Sequence, residues 1–414
     1  DDYWKGCRVV YRFKWTIATP TITSSSGSVN KITFEESRYI PTKGFGYYIE
    51  GKLEELDNAG EFYFDQINKK LYLALPSGET PDNHIIEASV RKNGIYSNEI
   101  DYITIKNINI RNAASYSVFL DDCGDHNISN CNIVSSMQAG IYCAAQNGQS
   151  SGLKIDECEI EQVDGEDGIA YGIYVNNIAD VQISNNTINH VASDSISPRR
   201  GMGIYMDKTP NSVISGNIIS NISNNGIMLA RNSGPVTVRH NALFYCVSLL
   251  ADSGGLYMSG DQTGTIIEHN CMSSFPGSSS GAPSTYGIIT VGIYFDETDS
   301  HGAVIRGNIV TDCTHGVHLH KSYDTKVLNN TFYNNRVTSI SLQEEEQNQM
   351  YGNIIKNNIC YAESSTQIAL RIVRFSTSTN AVGTFDNNLY YNPDKTRVVN
   401  YRFFGMGGGT NYSL

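Results

Sequence analysis

Residues 292–310, GIYFDETDSHGAVIRGNIV, contain two short segments that recur through most of this chain. The second segment, IRGNIV, aligns with eight others, and the first residues of successive segments are 22 to 38 positions apart. The fourth position of the nine segments reads Cys131, Cys158, Asn186, Asn217, Asn241, Asn270, Asn308, Asn330 and Asn358. Short β-branched strands that repeat at such intervals predict a β-solenoid, and favour a parallel β-helix over a leucine-rich horseshoe.

The asparagine column also predicts how neighbouring coils are joined. Inward-facing Asn side chains at a turn can hydrogen-bond the backbone of the next coil, as in an Asn ladder. Cys131 and Cys158 begin the same column, and Cys246 and Cys313 share another position. We interpret these cysteines as small core residues without a redox role.

The first segment, GIYFDE, predicts the outer surface of each coil. Because side chains alternate along a strand, its third and fifth residues face outward. The third position reads Phe119, Tyr142, Tyr174, Tyr205, Met228, Tyr257, Tyr294, His318 and Ser341, and the fifth reads Asp121, Ala144, Asn176, Asp207, Ala230, Ser259, Asp296, His320 and Gln343. Long connections leave the same edge of several coils, so we expect them to wall a cleft above this tyrosine ladder.

The composition narrows the class of protein. With 42 acidic and 30 basic residues the net charge is −12, which opposes a nucleic-acid partner. The longest apolar runs are too short for a membrane helix, so we expect no membrane insertion. The nine cysteines include no C-x-x-C pair, which argues against a zinc site or a disulfide scaffold. We expect no cofactor or catalytic metal, although a structural Ca²⁺ stays open.

The chain begins DDYWKGCRVV, without the pattern of a signal peptide, and its many Gly, Tyr, Asn and Ser residues are typical of a secreted, extracellular or periplasmic β protein. We assign residues 1–85 to a small β-rich sandwich or barrel-like unit, because GEFYFDQINKKLYLALP predicts a hairpin. Residues 86–400 are assigned to the parallel β-helix, and residues 401–414 to a flexible tail.

Two carboxylates are the candidate catalytic groups, because glycoside hydrolysis needs one protonated and one ionised carboxyl group. Asp296 occupies the outward fifth position of its segment and therefore faces the cleft. Asp252 lies on the loop that leads into the equivalent strand of the preceding coil. Adjacent coils are about 4.8 Å apart, so the pair can approach the ~5–9.5 Å separation of glycosidase carboxylates. Turn capping is the alternative role for either Asp. The candidate substrate-binding residues are Asp207, Arg231, Tyr257, Tyr294, Glu297, His318 and His320.

These candidates carry different expectations. Asp207, three coils from Asp296, would serve a neighbouring subsite, and Tyr257 and Tyr294 could stack on a pyranose or merely pack in the ladder. For His318 and His320 we favour hydrogen bonds to substrate over metal ligation, since no third ligand is evident. The run Glu344, Glu345 and Glu346 is interpreted as a solvated turn.

The stretches ADSGGLYMSGDQTGTIIEHN and GIYFDETDSHGAVIRGNIVTDCTHGVHLH resemble carbohydrate-active right-handed parallel β-helix proteins, including β-helical glycoside hydrolases of the fucosidase/xylanase and β-xylosidase types. LDNAGEFYFDQINKKLYLALPSGE is similar to the hairpin that precedes the solenoid in many of them. The resemblance spans roughly residues 52–335. An Asp-x-Gly-x-x-Tyr element is approximated by Asp252 to Tyr257, and a Tyr-x-Asp element is matched by Tyr294 and Asp296.

The resemblance implies a right-handed β-helix that acts on a carbohydrate, with Asp252 and Asp296 as its catalytic acids. It also implies further coils ahead of the hairpin, so the sequence is expected to be part of a longer or processed protein. Two alternatives stay open: a polysaccharide lyase, for which Arg199, Arg200 and Arg231 could neutralise a uronate, and a glycan-binding β-helix without activity. The sugar and the oligomeric state are not predicted.

Overall fold

The computed structural model describes residues 1–122, 124–165, 168–194, 199–231, 234–296, 300–345, 350–375, 380–394, 396, 398–403 and 410–412. Glu297 and Glu346, two of the residues considered above, lie outside these ranges. The described chain is all β apart from two 3₁₀ turns, Leu53–Glu55 and Pro81–Asn83. It divides into two compact units, one of residues 1–90 with 280–286 and one of residues 91–279 with 287–414.

The first unit is built from small antiparallel sheets. Arg8–Phe13 pairs with both Thr16–Ala18 and Tyr47–Glu50. Two hairpins follow, Ile22–Ser26 with Lys31–Phe34 and Phe62–Asp65 with Lys70–Leu73. The second of these is the hairpin that the sequence predicts. The core of the first unit is formed by buried side chains that include Val9, Tyr11 and Ile22.

The second unit is a parallel β-solenoid with three long sheets. The site sheet, which carries the GIYFDE segments, consists of Asn93–Asn98, Tyr116–Asp121, Ala139–Ala144, Ile169–Asn176, Arg200–Asp207, Ile227–Ala230, Ser253–Met258, Thr290–Phe295, His315–His320, Thr338–Gln343, Ile368–Arg374 and Val399–Phe403, with Thr410–Tyr412 paired antiparallel at its end. Each strand of one coil therefore pairs in parallel with the equivalent strand of the next coil, as a parallel β-helix requires.

The other two sheets complete each coil. The second sheet consists of Thr104–Lys106, Asn127–Ser129, Lys154–Asp156, Gln182–Ser184, Ser212–Ser215, Val236–Arg239, Ile266–Glu268, Val304–Arg306, Lys326–Leu328, Asn353–Lys356 and Gly383–Asp386. The third consists of Asn109–Ala113, Asn132–Ser136, Glu159–Val163, Thr187–Val191, Ile218–Ile222, Ala242–Phe244, Cys271–Ser273, Ile309–Thr311, Thr331–Tyr333, Ile359–Tyr361 and Leu389–Tyr391. A minor two-stranded sheet joins Ser150–Ser151 and Ile178–Ala179.

Stacked aliphatic side chains fill the solenoid. In the second sheet one inward position is Ile or Val in consecutive coils, for example Ile183, Ile214 and Val238, and these side chains are fully buried. Each such burial contributes about 1.5–3 kcal/mol. The Gly that recurs in most site strands has a steric cause: a Cβ on Gly292 would lie 2.3 Å from Val310 Cγ1 and 2.6 Å from the carbonyl oxygen of Gly316.

The asparagine column forms the predicted ladder. The backbone N–H of Asn186 donates to Oδ1 of Asn217 over 2.9 Å, and Nδ2 of Asn217 donates back to the carbonyl of Ile183 over 3.0 Å. The same bonds repeat from coil to coil and reach Asn388. The residue before each ladder position has a positive φ, as at Asn185 and Asn329, which turns the chain between the second and third sheets.

Most cysteines lie in the core, as interpreted from the sequence. The buried cysteines are Cys7, Cys131, Cys143, Cys158, Cys246, Cys313 and Cys360, whereas Cys271 is exposed and Cys123 lies outside the described residues. Within the part of the chain that is described, no helix has the length and apolar character needed to cross a membrane.

Candidate active site on the site sheet

The tyrosine ladder lies in the register that the sequence predicts. Phe119, Tyr142, Tyr174 and Tyr205 are direct partners in successive strands of the site sheet. The rings of Tyr142 and Tyr174 stack with centroids 4.6 Å apart and an interplanar angle of 1°, and those of Tyr174 and Tyr205 stack at 5.0 Å and 7°. The outward face therefore carries a rigid aromatic row that leads toward the carboxylates.

Asp252 and Asp296 are linked to the ladder by a crossed pair of hydrogen bonds. Tyr257 and Tyr294 are direct register partners in neighbouring strands. Tyr257 donates its hydroxyl to Oδ2 of Asp296 over 2.9 Å, and Tyr294 donates its hydroxyl to Oδ1 of Asp252 over 3.1 Å. Each tyrosine thus holds the carboxylate that belongs to the other coil, and the two Asp side chains are brought to one site.

Tyr257 and Tyr294 are not placed to stack on a pyranose, which was one of the two roles considered for them. Their side chains are buried, with residue exposures of 7% for Tyr257 and 3% for Tyr294, so neither presents a ring face for stacking on a sugar. Burial raises the pKa of Tyr294 well above its usual value, and the charges of Asp252 and Asp296 add to this. Tyr294 is therefore a neutral donor, and each of the two phenols orients one carboxylate.

Asp252 lies in an environment that favours its protonated form. Burial raises the pKa of the Asp252 carboxyl, and the nearby charge of Asp296 raises it further. The hydrogen bond from Tyr294 and the charges of His320 and Lys321 act in the opposite direction. The backbone of Asp252 has a φ of 60°, and its N–H donates to the carbonyl of Ile289 over 2.7 Å. A left-handed residue thus ends the loop and directs the carboxyl group toward Tyr294.

Asp296 has a different set of partners. Oδ1 of Asp296 lies 2.7 Å from Nδ1 of His320, while Oδ2 accepts from Tyr257. Nε2 of His320 lies 3.2 Å from Oε1 of Glu345, and Nζ of Lys321 lies 3.1 Å from Oε2 of the same carboxylate. The side chain of Asp296 is one-fifth exposed. Tyr257 thus donates to one oxygen of Asp296, and the imidazole of His320 lies within hydrogen-bond distance of the other.

Glu345 and Lys321 are the site residues that the sequence analysis missed. The run of Glu344 to Glu346 was interpreted as a solvated turn, and this is wrong for Glu344, whereas the side chain of Glu345 is 45% exposed. Glu344 is buried and accepts backbone N–H groups from Met350 and Phe375, while Glu345 contacts His320. The position of Glu345 could have indicated its role, because it follows the strand Thr338–Gln343, which pairs with the strand His315–His320.

His318 is buried, although the sequence predicted that it contacts the substrate. Its residue exposure is 6%, and its ring stacks between those of His315 and His320, with centroids 5.3 and 5.7 Å away. Burial lowers the pKa of His318 well below its usual value and that of His315 to about 3. Both imidazoles are therefore neutral near pH 7.

Asp207 is covered, although its outward column predicted an exposed subsite residue. Its side chain is fully buried and pairs with the guanidinium of Arg231, which itself is two-thirds exposed. A ligand at this position would therefore meet Arg231 first. The other arginines considered for a lyase are also placed: Arg199 is buried, and Nε of Arg200 donates to Asn224 over 3.1 Å.

Comparison with known proteins agrees with this architecture. Residues 93–272 match a family model described as "Right handed beta helix region". The solenoid is a right-handed parallel β-helix. Residues 285–392 of the β-helix match a second model, described as "Periplasmic copper-binding protein (NosD)". In the described residues, no group of three or more His, Cys, Asp or Glu side chains could hold a metal ion.

The chain is similar to several solved structures at low sequence identity. A structure titled "Glycoside hydrolase" is 14% identical, has a TM-score of 0.58, and aligns over 85% of this chain and 67% of that one. A double mutant of the periplasmic alginate epimerase AlgG is 15% identical, with a TM-score of 0.45 over 73% of this chain and 69% of that one. The Dettilon tailspike protein is 14% identical, with a TM-score of 0.45 over 73% and 62%. No curated protein matches the chain.

Proposed function

We propose that this β-helix is a glycoside hydrolase that cleaves an oligo- or polysaccharide laid along the tyrosine ladder. The observation that carries the proposal is the crossed arrangement of Tyr257, Tyr294, Asp252 and Asp296, which holds two carboxylates in unlike environments. Glycosidases use such a pair, one carboxyl group protonated and one ionised. The structural likeness to a glycoside hydrolase supports the β-helix as a scaffold for this chemistry.

The environments assign the two roles. Asp252, whose pKa is raised by burial and by Asp296, is the general acid that protonates the departing glycosidic oxygen. Asp296, held by Tyr257 and His320, is the ionised partner that acts as base or nucleophile. After bond cleavage, a water molecule supplies the hydroxyl group of the new reducing end. The water proton passes to Asp296 when this carboxylate acts as the base, and to the deprotonated Asp252 when Asp296 acts as the nucleophile. His320 positions Asp296 and takes no part in bond cleavage.

A lyase fits the same groups less well. A lyase on this scaffold needs a base that removes a proton from the sugar ring, such as a deprotonated Tyr, Lys or Arg side chain. The pKa of Tyr294 is raised by burial and by two carboxylates, which opposes phenolate formation. Arg231, the arginine considered for neutralising a uronate, is paired with Asp207.

The location of the protein is part of the proposal. A periplasmic or extracellular position is supported by the description of the family model that matches residues 285–392 and by the Tyr-, Gly- and Asn-rich composition. Polysaccharide substrates are present in those compartments.

The test is a screen of aryl glycosides and polysaccharides, read for new reducing ends and for ultraviolet absorbance together. A hydrolase releases reducing ends without absorbance, whereas a lyase product absorbs as an unsaturated uronide. Asp252→Asn and Asp296→Asn should each lower kcat by about 10²–10⁴-fold, the usual contribution of a carboxyl catalyst. Asp180→Asn, which makes the same change at an exposed Asp outside the site sheet, is the matched control. Near-normal activity of Asp252→Asn or Asp296→Asn would remove that residue from the pair.

A further inference from the structure

The site sheet continues past the carboxylates as a polar, basic surface. His318 is the register partner of Tyr294, Ser341 is the partner of His318, and Arg371 is the partner of Ser341. We call these three residues, with His315 and Thr338 beside them, the basic face. Strands are about 4.8 Å apart, so His318 lies about one strand spacing from the Tyr294 strand and Arg371 about three.

Several buried polar atoms of the basic face lack a hydrogen-bond partner. These atoms are Nδ1 of His315, Nδ1 of His318, Oγ of Ser341 and Oγ1 of Thr338. Buried polar groups in native proteins are nearly always satisfied, so each exception calls for a missing partner. The four residues are 0–6% exposed, so these atoms form a buried polar layer in the strands beside Arg371.

Arg371 supplies the charge of the basic face. Its burial lowers the pKa of the guanidinium to about 10, and the charged neighbour that contributes to this shift is another cation, Arg402. Arg371 in turn lowers the pKa of both His315 and His318. A half-buried guanidinium that is surrounded by neutral imidazoles and a second cation is an unfavourable arrangement unless an anion binds there.

The carboxylates closest to this region are already engaged. Asp296 is held by Tyr257 and His320, and it acts on His318 only through its charge. Glu345 contacts His320 and Lys321. Glu344 is bonded by backbone N–H groups and by Arg374. None of these described ion pairs involves Arg371.

We infer that the basic face binds an anionic substituent, a carboxylate or a sulfate, on a sugar next to the one that is cleaved. Arg371, the partly exposed member of the basic face, receives the anion from the cleft side. Guanidinium groups match both anions because their N–H donors form a planar fork. The inference rests on the proposed function and names its substrate class: an acidic glycan.

The overall charge does not oppose this inference at short range. The net charge of −12 repels a polyanion at a distance. At physiological ionic strength, however, charges farther away than about 8 Å are largely screened. Local cations at the basic face therefore decide the binding of a single anionic group.

The test measures equilibrium binding by calorimetry with the Asp252→Asn protein, so that no probe is consumed. The probes are a uronic-acid oligosaccharide, the same oligosaccharide with its carboxyl groups reduced to alcohols, and a sulfated neutral oligosaccharide. Arg371→Met is compared with Arg239→Met, which removes an exposed arginine from the second sheet. Arg371→Lys keeps the charge without the planar fork. Thermal unfolding of each variant verifies that it is folded.

We expect Arg371→Met to weaken binding of one anionic probe by at least about tenfold, the scale of one charged hydrogen bond. Arg371→Lys should give a smaller loss, Arg239→Met should change binding less than twofold, and the reduced probe should bind the parent and Arg371→Met equally. The anionic probe that binds identifies the carboxylate or the sulfate. Equal binding of acidic and reduced probes, or equal effects of the two Met variants, would overturn the inference.

Turnover by the unmodified protein separates this inference from the proposed function. Cleavage of neutral glycans, together with no binding of either anionic probe, would reject the basic face and leave the hydrolase standing. Binding of an anionic probe that depends on Arg371, without cleavage of any glycan, would reject the hydrolase and leave the basic face standing.

Discussion

The hydroxyl of Tyr294 donates to Oδ1 of Asp252, 42 residues earlier in the chain, over 3.1 Å. This bond stabilises the charged form of Asp252, and it therefore limits how far burial can raise the pKa of that carboxyl. The hydroxyl of Tyr294 therefore helps to determine the pH at which Asp252 releases its proton. The site can be tested most directly by altering this bond.

Tyr294→Phe should raise the pKa of Asp252 further, because it removes the hydrogen bond that lowers it. The alkaline limb of kcat/KM reports the loss of a proton from the general acid of the free enzyme. We expect this limb to move to higher pH in the variant. Tyr257→Phe is the matched control, since Tyr257 bonds Asp296, and its alkaline limb should stay in place. An unchanged limb in Tyr294→Phe would contradict the role of Asp252 as the acid.

Asp252→Asn should change how stability depends on pH. The folded-state pKa of Asp252 is raised, so its contribution to stability is present below the ordinary carboxyl pKa and is lost as pH rises through the folded value. Asn has no proton to lose. The free energy of unfolding of Asp252→Asn, relative to the parent, should therefore increase between pH 4 and pH 8 in urea titrations. Asp180→Asn, at an exposed position, should show a flat difference.

His320→Gln should lower kcat while leaving KM nearly unchanged. His320 holds Oδ1 of Asp296 at 2.7 Å, and the misplacement of a catalytic group by about 1 Å can reduce the rate by about 10²-fold. Lys321→Met tests the next link, because Lys321 reaches Asp296 only through Glu345 and His320. We expect a smaller loss there. If His320→Gln raised KM instead, His320 would be a substrate contact.

Asn241→Ala should destabilise the β-helix by about 2–5 kcal/mol, since buried partners that lose a hydrogen bond cost about 1–3 kcal/mol each. Oδ1 of Asn241 accepts from Asn217, and Nδ2 of Asn241 donates to Asn270 and to the carbonyl of Ile214. Asn241→Cys is the control, because Cys131 and Cys158 occupy this column in the first two coils. The Cys variant should lose less stability. Urea denaturation would contradict the ladder if neither variant were destabilised.

The repeat allowed the fold and the direction of many side chains to be predicted from the sequence. The period of two along a strand placed Tyr174, Tyr294 and Asp296 on the outer face, and the Asn column predicted the bonds of Asn217 to both neighbouring coils. These features repeat in every coil, so each segment supports the interpretation of the others.

Other features depend on what lies above a residue, and the sequence does not carry that information in a repeated form. Asp207 faces outward as predicted, yet Arg231 from the next coil covers it. The crossed bonds of Tyr257 and Tyr294 depend on how far a phenol reaches diagonally. Glu345 lies past its strand, where strand alternation gives no direction.

The asparagine ladder makes the length of this protein adjustable in whole coils. The bonds of a ladder residue reach no farther than the coil before and the coil after it, as those of Asn217 with Asn241 and Ile183 show. Removal of the 24 residues from Asn217 to His240 would bring Asn241 into the place of Asn217 with equivalent partners. Gain or loss of such modules would lengthen or shorten the aromatic track for the glycan, while Asp252 and Asp296 remain paired.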